Sequence, residues 1–263
     1  MTAPDHEVYA IRYAVHERRA GENFHLRVVD RPMPMDYFVW LVRGGGRTLV
    51  VDTGFGEEAA DRRQRRLLRS PVEGLRALGV EAATVEDVVL THLHYDHAGN
   101  LGAFEKARFH LQAAEMTYAS GPAMAHAPLG GAFDAEDVAA MVRRVFAGRV
   151  RFHDGDTALF PGVTLHRIGG HTRGLQAVSV TTARGLVVLA SDASHYWANL
   201  TERNPFPIFV DLEAMMTGWD RLRALAPSLD HLVPGHDPAV LARFPHPPGQ
   251  PDIACLHLPP VGA

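Results

Sequence analysis

Thr91-His92-Leu93-His94-Tyr95-Asp96-His97 sets three histidines and one aspartate within six residues, an H-x-H-x-D-H arrangement. Imidazole and carboxylate together suit zinc and similar first-row ions. A random order of this composition gives the pattern roughly 0.004 times per chain, so it is specific where most short motifs are not. If His92 and His94 leave the end of a strand, alternation points both the same way. The turn that follows can then send Asp96 and His97 toward a second ion. The chain has 16 histidines against three tryptophans and six tyrosines, and histidine is the commonest protein ligand of metals. Two ions need more ligands than this string holds. Three further candidates each follow an apolar run: His171 after residues 163–168, Asp192 after 186–190, and His236 after Leu232-Val233-Pro234-Gly235. The chemistry such a set performs is hydrolysis, because paired ions lower the pKa of a shared water and hydroxide then exists near neutral pH to attack a carbonyl.

The elements that must place these residues are legible in outline. Residues 37–42 and 48–52 are apolar, β-prone runs joined by Gly44-Gly45-Gly46, which predicts a hairpin ending at Asp52-Thr53-Gly54. Residues 57–79 read as helix, broken near Pro71. Asp87-Val88-Val89-Leu90 is a short buried strand that delivers the chain into the histidine cluster. A strand over 107–111 and a short helix over 112–119 follow, then a loop over 121–131 rich in glycine, proline and alanine. A helix runs from Asp134 to about Phe146, with Asp137 in its first turn, where the dipole favours an anion. Strands are expected over 150–153, 163–168, 178–182 and 186–190, a helix over 211–225 and a last strand over 229–233. No repeat, low-complexity tract or linker interrupts the chain. Residues 1–263 are therefore expected to form a single domain with sheets inside and helices outside.

Composition narrows the partners. A formal net charge of -4 argues against nucleic acid, whose binding rests on cations neutralising phosphates. The run Arg62, Arg63, Arg65, Arg66 and Arg69 is offset by Glu57, Glu58 and Asp61 and reads as a solvated helix surface. No apolar run spans a bilayer, so no membrane is expected, and MTAPDHEVYAIRYA lacks the basic-then-apolar pattern of a leader. The single cysteine, Cys255, excludes an internal disulfide framework and fits a reducing cytoplasm.

THLHYDHAGN resembles the signature of the metallo-β-lactamase superfamily, and Gly170-His171, Ser191-Asp192 and Gly235-His236 match its remaining ligand motifs. The likeness runs from about Tyr37 to about Asp237 and is greatest to the N-acyl-homoserine lactonase branch. His97-Ala98-Gly99-Asn100, Gly102-Ala103-Phe104, Pro161-Gly162-Val163, Asp192-Ala193-Ser194 and Gly235-His236-Asp237 carry it. The resemblance implies an αβ/βα four-layer sandwich with two zinc ions per chain along one sheet edge. It implies that His92, His94 and His171 hold one ion, that Asp96, His97 and His236 hold the other, and that Asp192 bridges them. Asp52 would lie behind the site as a partner of the ligands. The implied reaction is hydrolytic opening of a lactone or related cyclic ester, the chemistry of quorum quenching, with Asp96 and Asp192 at the reacting centre. Those lactonases typically carry a tyrosine three residues after the bridging aspartate. Here His195 holds that position and Tyr196 follows, so one of the two is expected to donate a hydrogen bond to the oxyanion or leaving group. A histidine donor would tie the rate to a pKa near ~6.5.

Rival functions on the same ligand set are a thioesterase of the glyoxalase II kind, a carboxylesterase and an iron-dependent redox enzyme. A purely structural zinc site is disfavoured, since those sites are closed and tetrahedral. The expected partner is a small-molecule substrate with an apolar portion, received among Tyr196, Trp197, Phe206, Phe209, Met33, Met35, Tyr37 and Trp40. A homodimer is also entertained.

Overall fold

The computed structural model describes residues 5–262; residues 1–4, part of the segment expected to lack a leader pattern, lie outside them. The described residues form thirteen strands: β1 (Glu7–His16), β2 (Met35–Gly44), β3 (Arg47–Val51), β4 (Arg66–Leu67), β5 (Asp87–Val89), β6 (Arg108–Gln112), β7 (Val150–His153), β8 (Thr157–Phe160), β9 (Val163–Arg167), β10 (Gln176–Thr182), β11 (Gly185–Ser191), β12 (Leu232–Pro234) and β13 (Ile253–Cys255). The first sheet runs β13-β1-β2-β3-β5-β6-β7, with β4 joined to β1; the second runs β12-β11-β10-β9-β8. The expected hairpin is β2–β3, paired antiparallel with Trp40 opposite Val51. From β3 onward the first sheet is parallel, through β5 and β6 to β7.

Alternation decides how the sheets stack. In β2, Phe38, Trp40 and Val42 face the second sheet, where they meet Val163, Val178, Val180 and Leu189. Tyr37, Val39 and Leu41 of the same strand face the opposite way, toward Leu75, Leu101, Phe104 and Met141 of the outer segments. A strand buried on both faces reads as a continuous apolar run, which is why residues 37–42 show no polar alternation. The outer face of the second sheet is covered by helix Leu212–Leu225, which buries Met215, Trp219 and Leu222. On the first sheet the matching cover includes helix Ala135–Phe146, capped by Asp134, and helix Ala113–Ala119. The architecture is an αβ/βα sandwich, as the resemblance implies. No described helix is long and apolar enough to cross a membrane.

Several expectations are corrected. Residues 57–79 are two short helices, Glu57–Arg62 and Pro71–Arg76, with β4 between them. Pro71 starts the second helix, where its missing N–H costs nothing, and Ser70 caps it by accepting from Glu73 N. The arginine run is not a solvated helix face. Arg63 donates to the carbonyls of Gly131 and Phe133 and lies over the Tyr95 ring, Arg65 donates to the Tyr95 hydroxyl, and Arg69 donates to Gln250. Residues 229–231 are a 3-10 turn, and β12 is only Leu232–Pro234. Strands β1, β4, β8 and β13 have no counterpart in the sequence reading. Cys255, buried in β13, is a free thiol.

Candidate metal centre

Strand ends of both sheets meet at one edge. β5 stops at Val89, so His92 and His94 do not leave a strand end directly; they sit in the crossing segment before the one-turn helix Tyr95–Ala98. His94 is the N-cap of that helix, with its backbone extended, and Asp96 and His97 fall in the first turn. A change from extended to helical backbone at His94 is what turns the latter pair away from the former. His171 arrives on the loop between β9 and β10, Asp192 directly after β11, and His236 two residues after β12. Gly235 must be small there: a Cβ would stand 2.8 Å from Asp192 Oδ1 and from the Ser191 backbone.

The seven expected ligands form two groups, and His195 makes a third grouping with His171 and Asp192. Nε2 of His171 lies 3.2 Å from Nε2 of His92 and 3.0 Å from Nδ1 of His94. Asp96, His97, Asp192 and His236 form the other group. Asp192 faces both. Its Oδ2 is 3.4 Å from His171 Nε2 and 3.9 Å from His92 Nε2, while Oδ1 is 3.0 Å from His236 Nε2 and 3.3 Å from His97 Nε2. All seven side chains are buried.

The outward nitrogens show what the inward ones must be. His171 Nδ1 donates to the Ile208 carbonyl at 2.7 Å, and His236 Nδ1 to that of Asp36 at 2.8 Å. His97 Nδ1 donates to Asp52 Oδ2 at 2.7 Å, and His92 Nδ1 to Thr91 Oγ1 at 3.1 Å. Each neutral ring therefore turns a bare lone pair inward. His97 Nε2 and Asp192 Oδ1 are buried and make no hydrogen bond, although they are 3.3 Å apart. In a dry space this pair needs a positive charge between its atoms, a proton or a metal cation, and a bound cation supplies it. Five imidazoles and two carboxylates also match the donor preference of zinc, so the residues fit a metal.

The electrostatics agree. Burial holds His92, His94 and His171 below the ordinary histidine pKa, so they are neutral, as ligation requires. Burial also opposes charge on His97 and His236, but Asp192 and Asp96 outweigh it and raise both. Against the same burial, His97 and His236 draw Asp96 and Asp192 below the usual carboxylate range.

Asp52 lies behind the centre as the resemblance implies, and it does more than orient one ring. Its carboxylate accepts from Thr91 N at 2.7 Å, Thr91 Oγ1 at 2.8 Å and His97 Nδ1. It holds this place in the left-handed region, at φ 62°, as does Ser191 at φ 46°. Non-glycine residues at positive φ are strained, and here both flank the ligand cluster. Asp52→Ala is expected to weaken metal affinity ~10–100-fold. A chelator competition giving wild-type affinity would remove Asp52 from this role.

Glu115 escaped the sequence reading. Fully buried, its carboxylate accepts from Leu93 N at 3.0 Å, Thr172 Oγ1 at 2.6 Å and Gly174 N at 2.9 Å. It thus ties the segment between His92 and His94 to the His171 loop. A Cβ on Gly174 would come within 2.2 Å of Glu115 N, so that glycine is what lets the two meet. Nothing in the string QAAEMTYA marks this glutamate; only the crossing of two distant loops gives it a task.

Of the two candidate donors, the structure brings His195 to the cluster and not Tyr196. His195 Nε2 is 3.0 Å from Asp192 Oδ2, and the ring lies flat on Phe206 at 3.4 Å between centroids. The Tyr196 hydroxyl instead donates to the Pro34 carbonyl and accepts from Asn23. Tyr196 starts helix Trp197–Glu202 and points into the core, which corrects its assignment as a catalytic residue. Trp40 and Trp197 also belong to the core between the sheets, whereas Phe206 and Tyr37 do face the centre, against His195 and His236.

The sequence matches the metallo-beta-lactamase superfamily over residues 33–240. A probable metallo-hydrolase of Mycobacterium tuberculosis is 28% identical over 243 residues, covering 80% of this chain and 74% of the relative. An N-acyl homoserine lactonase of Bacillus cereus is 28% identical over 157 residues, 57% of this chain and 54% of that enzyme. The crystal structure of a quorum-quenching N-acyl homoserine lactone lactonase superposes with a TM-score of 0.74 at 24% identity. That superposition covers 91% of this chain and 94% of the other, a likeness of fold.

Proposed function

Because the chain belongs to the metallo-β-lactamase superfamily and is one of its metal-dependent hydrolases, we propose that it holds two zinc ions and opens a lactone or related cyclic ester. The observation that supports a two-ion centre is Asp192, whose oxygens face two separate ligand groups. Bound there, the ions would supply Lewis acidity and a hydroxide near neutral pH. The chain's own residues do the rest. Asp96 and Asp192 fix the two ligand groups relative to one another. Burial of all seven ligands keeps bulk water from competing for the substrate carbonyl.

His195 is the ring whose Nδ1 has no hydrogen-bond partner to fix its tautomer, which leaves its Nε2, beside Asp192 Oδ2, to present an N–H where the other rings present lone pairs. That N–H is the donor for the oxyanion or the departing alkoxide. Phe206 and the main chain lock it: Gly235 N donates to the Ser194 carbonyl and His236 N to that of His195. Burial lowers its pKa to about 3. The ring is then neutral at any working pH, and the rate should show no limb near ~6.5 from this residue. His195→Ala is expected to cost on the order of 10²–10³ in kcat with both metals retained. Kinetics alongside metal content decide it, and normal turnover with two ions bound would mean that the metals alone stabilise the oxyanion.

A cavity of about 1030 Å³ adjoins the His171 loop, lined by Ile168, Gly170, Tyr118, Pro122, Leu129 and Val210 among others. Its apolar walls suit the acyl arm of a substrate. Acyl-homoserine-lactone signals are candidate substrates on that ground. Cys255, buried and unpaired, favours the reducing cytoplasm as the place of work.

Elemental analysis of protein purified without chelator should give about two zinc ions per chain. A panel of lactones, linear esters, thioesters and amides should then show the lactones hydrolysed fastest. One tightly bound iron without zinc, or a metal-loaded protein inert to every lactone, would overturn the reading.

A further inference from the structure

The far end of the first sheet carries positive charge that the metal centre does not use. β3, β5, β6 and β7 are parallel and run toward the ligands, so their first residues lie away from them. Arg47 opens β3, Arg108 opens β6 with Lys106 just before it, and Arg151 lies in β7. The five residues of β3, at ~3.3 Å each, put roughly 15 Å between Arg47 and Asp52. These four cations line one cavity of about 550 Å³, together with residues of β8; β7 and β8 are the edge strands of the two sheets. All four are exposed. Most arginines of the chain hold a carboxylate or a carbonyl oxygen. The four cations of the cavity make no ion pair and no side-chain hydrogen bond among the described residues, and Arg47 lies only over the Phe160 ring, at 4.5 Å. Two acids share the cavity. Asp87 already accepts from His110 Nε2 at 2.9 Å, and Glu86 is exposed. Four cations thus face two carboxylates, in a chain whose net charge is -4.

Convergence separates this group from ordinary solvated cations. Residues from β3, the β5–β6 connection, β6 and β7 face one concave space. Like charges around a shared concavity raise the positive potential inside it, and walls of low dielectric focus that field. Guanidinium groups take phosphate and carboxylate as forked partners, and an ammonium takes them as a point charge. A lone phosphate cannot reach all four groups, whereas a cavity in the size range of small-ligand sites holds a molecule that reaches several. We propose that Arg47, Lys106, Arg108 and Arg151 form a second ligand site, separate from the metal centre, for a small polyanion carrying two or more phosphate or carboxylate groups. The site does not depend on the hydrolase reading. Its occupant is not the substrate, because the length of the parallel strands stands between it and the ligands.

Calorimetry of the zinc-loaded protein with benzene mono-, di- and trisulfonates reads the site, because sulfonates coordinate zinc poorly. The trisulfonate should bind on the order of tenfold tighter than the monosulfonate, as several exposed charge pairs of modest worth add up. That excess should fall with added salt. Arg108→Gln combined with Arg151→Gln should abolish it while metal content and Tm stay at wild-type values. Arg143→Gln, which removes an exposed cation of helix Ala135–Phe146, should leave it intact. In the unmutated protein, bound trisulfonate should slow hydrogen exchange over residues 106–110 and 150–160 and leave residues 91–97 unchanged. Tripolyphosphate and tricarballylate then identify the native group: the one that loses more affinity in the double variant is the better mimic. Affinity independent of probe charge, an excess that survives the double variant, or protection confined to residues 91–97 overturns the site.

Discussion

Asp192→Ala should abolish turnover and disturb both ions at once. Among the described residues no other side chain gives one oxygen to each ligand group, Oδ2 toward His171 and His92 and Oδ1 toward His236 and His97. On the proposed two-ion reading, removing it takes a ligand from each ion, and without metal it leaves the raised imidazoles of His97 and His236 without the carboxylate that outweighs their burial. Loss of a group that only orients a ligand costs ~10–100-fold in affinity, and loss of a shared ligand should exceed this. Elemental analysis and kinetics on the purified variant decide the matter. A variant retaining two ions and wild-type turnover would place the bridge elsewhere.

Chelation should be as severe for stability as for activity. Without cations only protons balance the buried carboxylates of the centre, as between His97 Nε2 and Asp192 Oδ1. A single ion at about a thousand times its dissociation constant stabilises the folded state by about 4 kcal/mol. For a chain of this size that corresponds to roughly 8–16 °C in Tm. Calorimetry with and without chelator should show at least this difference, with activity lost alongside and restored by added zinc. The ligands bind metal only when deprotonated, so the gap in Tm should close as the pH falls. An unchanged Tm and unchanged turnover after verified metal removal would end the metal-centre reading.

Seven ligand-type residues were legible in the sequence for a chemical reason. His92, His94, Asp96 and His97 are dense in one string, and His171, Asp192 and His236 each end an apolar run, so residue type and strand punctuation identify them without knowledge of the fold. The β2–β3 hairpin, helix Ala135–Phe146 and helix Leu212–Leu225 were legible because their apolar periods and caps are local. What the tertiary structure alone decided is each property that depends on residues far apart in the chain. Asp192 divides its oxygens between two groups only because β11 and β12 lie side by side and parallel. Glu115 acquires partners only where the segment containing Leu93 crosses the loop containing Thr172 and Gly174. His195 and Tyr196 are adjacent and chemically plausible alike, and the start of helix Trp197–Glu202 sends one ring to the ligands and the other to Asn23 and Pro34. The arginine run looked like solvent-facing helix because β4 is two residues long and is held as a strand solely by pairing with Ala14 and Val15 of β1. A segment that short carries no periodicity of its own, so the partner strand assigns its conformation, and with it the position of Arg65 beside His16 and Tyr95.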